Sequence, residues 1–340
     1  MTRLERIGVL SFDTAWAVDG RLSRDDRMAA PWHDGPVLSI AVSRDASTLC
    51  SAGVDGVVRA WSAATRELLW QFETPARHLL LSPDGHLAYA VNDALEVWPL
   101  DLATGDTLPR AWAPPRRVAR AQRPERTVLS PDGRWLLPSC GDASGAAMIV
   151  DLATGAARSL EAPGAGETHP VGRFTNDGRS LWTLGGVRDG RSGRARSALY
   201  RFSLATGECE EIRALRLLRQ GAQGATPLHR QHCVFSERWL VISAGREIVR
   251  WELANVTAAT WLDARVEGPS RTITGDRVFA CAVANDRAIA IGSHAMETIT
   301  AMSTLTSPEL VTALALSPDE RWLAVGLSSG RVARVKTDAV

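Results

Sequence analysis

The sequence writes one five-residue phrase three times: LSPDG at residues 81–85, LSPDG again at 129–133, and LSPDE at 316–320. Proline presets φ for the second position of a turn, aspartate bonds its own backbone, and glycine takes the positive φ that other residues resist. Looser copies fill the gaps: VSRDA at 42–46, FTNDG at 174–178, FSERW at 235–239 and VANDR at 283–287. Seven turns result, with starts separated by 39, 48, 45, 61, 48 and 33 residues. A second phrase keeps step with the first, as SAATR at 62–66, DLATG at 101–105 and 151–155, and SLATG at 203–207. Two landmarks held in step imply one supersecondary unit repeated along the chain.

Between the landmarks lie short runs with period-two alternation. In GPVLSIAVS, Val37, Ser39 and Ala41 fall on one face and Leu38, Ile40 and Val42 on the other. Each unit offers two further runs of this kind and a fourth after the ATG turn, with no helical pattern between units, so an all-β fold is expected rather than βαβ. One four-stranded sheet cannot bury both faces alone, so neighbouring sheets must stack around an axis.

The clearest unit, HDGPVLSIAVSRDASTLCSAGVDGVVRAWSAATRELLWQF at 33–72, resembles a blade of the WD-repeat (WD40) β-propeller family. His33 stands at the histidine of the family's Gly-His dipeptide, with Trp32 in place of the glycine. Asp55 falls in the turn before the third strand, and Trp61 holds the tryptophan position, followed by Ser62 instead of aspartate. The resemblance implies that His33, Ser51, Asp55 and Trp61 form a structural hydrogen-bond network. Other units keep the tryptophan slot as Trp98 and Trp251, or fill it with Phe202, without the histidine and aspartate. It further implies a seven-bladed propeller of four antiparallel strands per blade, in a single domain over 1–340, with eight blades as the alternative. The last unit stops after its third strand, and residues 27–32, RMAAPW, are the expected ring-closing strand. Residues 1–26 then form an extension that pairs as extra strands or makes a partial eighth blade.

Hydrophobic residues at 45% and charged residues at 23% match a soluble globular chain with ample apolar area to bury. No apolar run reaches the ~18 residues of a membrane span, and the start MTRLERIGVL lacks a signal-peptide pattern, so a cytoplasmic protein is expected. The five cysteines form no CxxC pair and suit neither a disulfide framework nor a thiolate metal knuckle. The HRQHC stretch at 229–233 is read as a solvated loop, not a metal site. No GxSxG and no phosphate-binding loop in a helical context is present. No catalytic residue, metal or cofactor is expected.

Net charge is only +1, yet Lys336 is the sole lysine, so the basic charge is almost wholly arginine. Three insertions concentrate it. PPRRVARAQRPER carries Arg116, Arg117, Arg120 and Arg123; RDGRSGRARSA carries Arg188, Arg191, Arg194 and Arg196; RLLRQGAQGATPLHR carries Arg216 and Arg219. Two lie between blades and one between second and third strands, which places all three on one rim of a propeller. Such a rim suits an acidic or phosphorylated protein segment. The expected function is therefore a non-catalytic interaction scaffold in a multiprotein complex. A nucleic-acid-binding module is the alternative, ranked lower because aromatics do not interleave with these arginines. A lactonase-like propeller hydrolase is the second alternative, and no membrane partner is expected.

Overall fold

The structure is a computed structural model that describes residues 8–9, 12–13, 32–114, 126–140, 146–162, 167–188, 195–215, 232–244, 247–263, 271–283, 288–294, 298–304 and 309–337. Among these residues there is no α-helix, and the strands form seven sheets. The chain is a seven-bladed β-propeller.

The first blade is β3 (Val37–Val42), β4 (Thr48–Gly53), β5 (Val57–Ser62) and β6 (Leu68–Glu73), paired antiparallel in that order. The second holds β7 (Ala76–Leu81), β8 (Leu87–Asn92) and β9 (Val97–Asp101), and its outer edge is completed by single bridges from Thr107 and Trp112. The third runs from β10 (Val128–Leu129) through β11 (Trp135–Leu137) and β12 (Met148–Asp151) to β13 (Ala157–Ser159). The fourth comprises β14 (Glu167–Phe174), β15 (Ser180–Arg188), β16 (Ala195–Ser203) and β17 (Cys209–Ala214). The fifth comprises β18 (His232–Phe235), β19 (Trp239–Ala244), β20 (Glu247–Glu252) and β21 (Asn255–Asp263). In the sixth, β22 (Arg271–Thr274), β23 (Val278–Val283), β24 (Ala288–Ser293) and β25 (Thr298–Thr304) gain a fifth strand, β1 (Gly8–Val9), which runs parallel to β25. The seventh joins β26 (Val311–Leu316), β27 (Trp322–Leu327) and β28 (Val332–Lys336) to β2 (Phe12–Asp13).

Two sequence expectations are corrected here. The strand paired with β28 is Phe12–Asp13 and not residues 27–32, of which Trp32 is outside any strand and 27–31 lie outside the described residues. The N-terminal segment thus supplies both an extra strand to the sixth blade and the closing strand of the seventh. The VANDR phrase joins β23 to β24, and the turn equivalent to the others in the sixth blade is TGDRV at 274–278. Asn-Asp and Gly-Asp are both turn dipeptides, and composition alone does not say which hairpin of a blade they close.

The LSPDG turn repeats because its first polar residue and its aspartate lock each other. Ser82 accepts the Leu87 amide at 2.8 Å and donates to Asp84, whose carboxylate accepts the His86 amide. The same pair recurs as Ser43–Asp45, Ser130–Asp132, Thr175–Asp177 and Ser317–Asp319. The hydroxyl bonds hold the Asp45 carboxyl at about 2 and lower those of Asp84, Asp177 and Asp319. The fifth position is left-handed throughout, at Gly85, Gly133 and Gly178 but also at Ala46 and Glu320.

Apolar clusters sit between blades. One joins the first and seventh blades through Val37, Trp61, Ala313 and Trp322, so the ring is closed by packing as well as by pairing. Among the described residues, five others span the remaining interfaces except that between the fifth and sixth blades. There, Arg250, Thr274 and His294 form a buried polar contact.

Candidate functional site

The residues of the first blade's expected network come together. His33 and Ser51 meet across β4, with His33 Nε2 2.8 Å from Ser51 Oγ, while Trp61 Nε1 donates to the same oxygen at 3.0 Å. His33 Nδ1 lies 2.9 Å from Asp55 Oδ1. Trp61 can only donate, so the Ser51 hydroxyl is free to donate to Nε2, which leaves the proton of a neutral His33 on Nδ1, facing Asp55. Arg59, on β5, joins the set by donating from Nη1 to Asp55 Oδ2 at 2.7 Å. It also comes within 2.6 Å of His33 Nδ1, and both nitrogens aim at one carboxylate, so Asp55 holds the pair together. Burial alone would raise the Asp55 carboxyl, but Arg59 and His33 bring it to about 2. Burial lowers His33 in spite of the same aspartate. Gly53 passes so close that a Cβ there would collide with the His33 ring and the Asp55 carboxylate. The cluster ties the segment before β3 to β4, β5 and the turn between them, a fastening within the blade.

Arginine has a structural use that the sequence did not reveal. In four blades the residue that follows the third strand offers its carbonyl to the preceding blade. Trp70 Nε1 donates to Leu102 at 2.7 Å, Arg158 Nη2 to Leu204 at 2.6 Å, and Arg213 Nη1 to Leu253 at 2.6 Å. Arg250 does the same to the His294 carbonyl. Tryptophans after the turns carry these guanidinium groups on their faces: Arg134 and Arg158 at Trp135, Arg201 and Arg213 at Trp182, Arg238 and Arg250 at Trp239. Trp32 stacks on Trp61 and Trp112 is buried in the core between the second and third blades.

Two further histidines matter here, His294 buried and His78 half-buried. His78 Nε2 donates to the Thr127 carbonyl at 3.1 Å, and burial brings the ring down to about 4. His294 stacks on Trp239 at 4.7 Å, contacts Thr274 Oγ1 through Nε2, and is lowered to about 4 by burial and by Arg250. Burial raises Cys50 and Cys281 to about 12 and Cys140 to about 11, so these thiols stay protonated. Among the described residues no group of three His, Cys, Asp or Glu side chains could hold a metal ion. His232 and Cys233 of the HRQHC stretch lie on β18 rather than in a loop, and 229–231 are outside the described residues.

Of the expected arginine rim, Arg116, Arg117, Arg120, Arg123, Arg191, Arg194, Arg216 and Arg219 lie outside the described residues. Arg188 ends β15 and Arg196 lies near the start of β16, where the backbone pairs Arg188 with Ala195 and Val187 with Arg196. β15 and β16 are 9 residues each, against 6 for β4 and β5, so this hairpin reaches past the length of the first blade's. Successive antiparallel strands turn at alternate ends, so this hairpin's tip and the connections between blades share one face.

The inner strands of the blades surround a central cavity of about 780 Å³. Val42, Leu80, Val128, Val171, Phe235 and Ile273 give it apolar walls, and Arg44, Arg126 and Arg173 supply its charged groups.

Comparisons with known proteins agree with this architecture. The family model described as WD domain, G-beta repeat matches residues 30–62 and 299–335. The first match contains His33, Ser51, Asp55 and Trp61. No curated protein matches the sequence. A solved structure titled Kuenenia stuttgartiensis Hydrazine Synthase superposes with a TM-score of 0.67 at 14% identity, covering 92% of this chain and 99% of that one. At that identity the likeness concerns the fold. No helix among the described residues is long and apolar enough to cross a membrane.

Proposed function

We propose that this WD-repeat β-propeller is a non-catalytic docking platform, probing its partner with the arginine-rich insertions while the ring stays rigid. WD repeats generally mediate protein–protein interaction. The observation that carries the finer reading is the β15–β16 hairpin, lengthened where Arg188 and Arg196 stand. Its connecting loop adds Arg191 and Arg194 with Asp189 as the one acid, a charge excess in a chain that is otherwise balanced. Guanidinium groups in such number recognise carboxylate or phosphate in bidentate fashion, so the partner class is an acidic or phosphorylated protein segment. The single-domain arrangement over 1–340 and a cytoplasmic setting belong to the same reading.

The test is affinity capture from the native host, with and without nuclease, comparing the wild type with a variant carrying Glu at 188, 191, 194 and 196. An acidic or phosphorylated protein that survives nuclease and is lost by the variant supports the docking face. Material that disappears with nuclease alone favours nucleic acid, and that binding falls steeply with added salt. Turnover of a lactone or peptide panel by the purified chain overturns the non-catalytic assignment.

A further inference from the structure

We propose that the central cavity, at the end formed by the turns between first and second strands, binds a small organic anion: a phosphate or carboxylate head on an apolar body. The site is separate from the arginine rim, because those turns lie at the opposite end of the strands from the rim insertions.

The cavity's volume, about 780 Å³, falls among those of small-molecule sites, which pair mostly apolar walls with a few converging polar groups. Its lining has that make-up. Valines, leucines, phenylalanines and Ile273 come from six first strands, and the charged side chains among the described lining residues at the turn end are cationic, Arg44 and Arg173, while Arg126 enters the lining from the other end, just before β10. Arg44 is exposed within its turn, and Arg173 sits just before the equivalent turn of the fourth blade.

Arg173 gives the sharpest indication. Among the described residues its Nε is buried without an acceptor, and its one hydrogen bond is a 3.3 Å contact from Nη2 to Asn176 Oδ1. A buried N–H on a charged group costs free energy until an acceptor reaches it. Asp276 and Glu237 act on this guanidinium at Coulombic range, but Asp276 accepts the Arg238 amide and Glu237 accepts from Asn176. Burial lowers the Arg173 guanidinium from its ordinary value, in spite of these two carboxylates. An oxyanion in the cavity would supply the acceptor, and the valine and phenylalanine walls would cover an aryl or alkyl body.

Calorimetric titration of the full chain with phenyl phosphate, benzoate, inorganic phosphate and phenol tests this. Saturable one-to-one binding of phenyl phosphate or benzoate, tighter than that of phenol, is the expected result, and the tighter of the two identifies the head group. Arg173→Gln should weaken the binding by about ten-fold or more, with Arg173→Lys in between. Should Arg173→Gln unfold, Arg44→Gln at the mouth provides the second variant, with a several-fold loss expected. The variant with four rim glutamates should bind phenyl phosphate as the wild type does. Equal binding of phenol, no saturation by either aryl anion up to about 10 mM, or loss of binding in the rim variant would each overturn the proposal.

Discussion

Arg158, on the outermost strand of the third blade, donates from Nη2 to the Leu204 carbonyl of the fourth blade at 2.6 Å. Gly207, at the end of the same SLATG phrase, lies against its guanidinium: a Cβ there would stand 2.9 Å from Nε. The glycine of the phrase therefore meets two demands at once, a φ of 78° and the close approach of the neighbouring blade's arginine. Gly105 faces Trp70 in the same way, whereas Gly155 opens on empty space.

Replacing these glycines separates the two demands. Gly155→Ala should cost only the left-handed backbone, about 1–2 kcal/mol. Gly207→Ala should cost that and at least ~1 kcal/mol more, because Arg158 must give way. Urea midpoints of the two variants give the comparison, and equal losses would mean that the inter-blade hydrogen bond contributes nothing.

Glu320 stands where three sister turns have glycine, at a φ of 56°, so Glu320→Gly restores the LSPDG letters and relieves the backbone. It should nevertheless destabilise. The Glu320 carboxylate accepts the amides of Asp276, Arg277 and Val278 at 2.7–3.0 Å, capping the sixth blade's turn, which lacks the Ser-Asp pair of the others. Charge-assisted bonds of this kind outweigh the strain, and a net loss of about 1–3 kcal/mol is expected. Amide exchange at 276–278 should accelerate together with a lower urea midpoint, and a more stable variant would contradict this account.

Stability should fall on mild acidification. His78 and His294 have folded values of about 4 against an ordinary 6.5, both through burial. The unfolded chain therefore binds protons that the folded chain does not between these values, so stability is full above about pH 6.5 and declines toward pH 4. Each ring contributes on the order of 3 kcal/mol to that decline. Asp55, at about 2, adds a further loss only as pH falls below its unfolded value of 3.8. Urea melts from pH 7.5 to 4 should show the slope, and His294→Gln should flatten it; an unchanged profile would remove His294 as a contributor.

Deleting residues 1–13 removes β1 and β2 and leaves β25 and β28 as exposed sheet edges. Exposed edges pair with other chains. The truncated protein should melt at lower temperature and show concentration-dependent association by light scattering, and a monomer of unchanged melting temperature would show that neither pairing holds the ring.

Turn chemistry operates within a few residues, which is why the repeat was legible without the structure. Ser82, Asp84 and Gly85 satisfy one another locally, and the period at which they recur, together with the alternation between them, leads to stacked four-stranded sheets. The grouping of His33, Ser51, Asp55 and Trp61 came from the resemblance of residues 33–72 to a WD-repeat blade, not from local chemistry. Where two turn-like phrases compete, as VANDR and TGDRV do in the sixth blade, local chemistry does not choose between hairpins, and only pairing register does. Strands of two residues such as Phe12–Asp13 carry no alternation to read, and their place is set by the unpaired edge of β28. The partners of the arginines belong to tertiary structure altogether. Arg158 and Leu204, or Arg250 and His294, are more than 40 residues apart, and which carbonyl a guanidinium reaches depends on how adjacent blades are rotated against each other. Sequence therefore determined the blade, its turns and its number of copies, through interactions between near neighbours. The fastening of blade to blade, the side of the ring that the N-terminus closes, and the cationic lining of the central cavity were decided only when distant segments packed together.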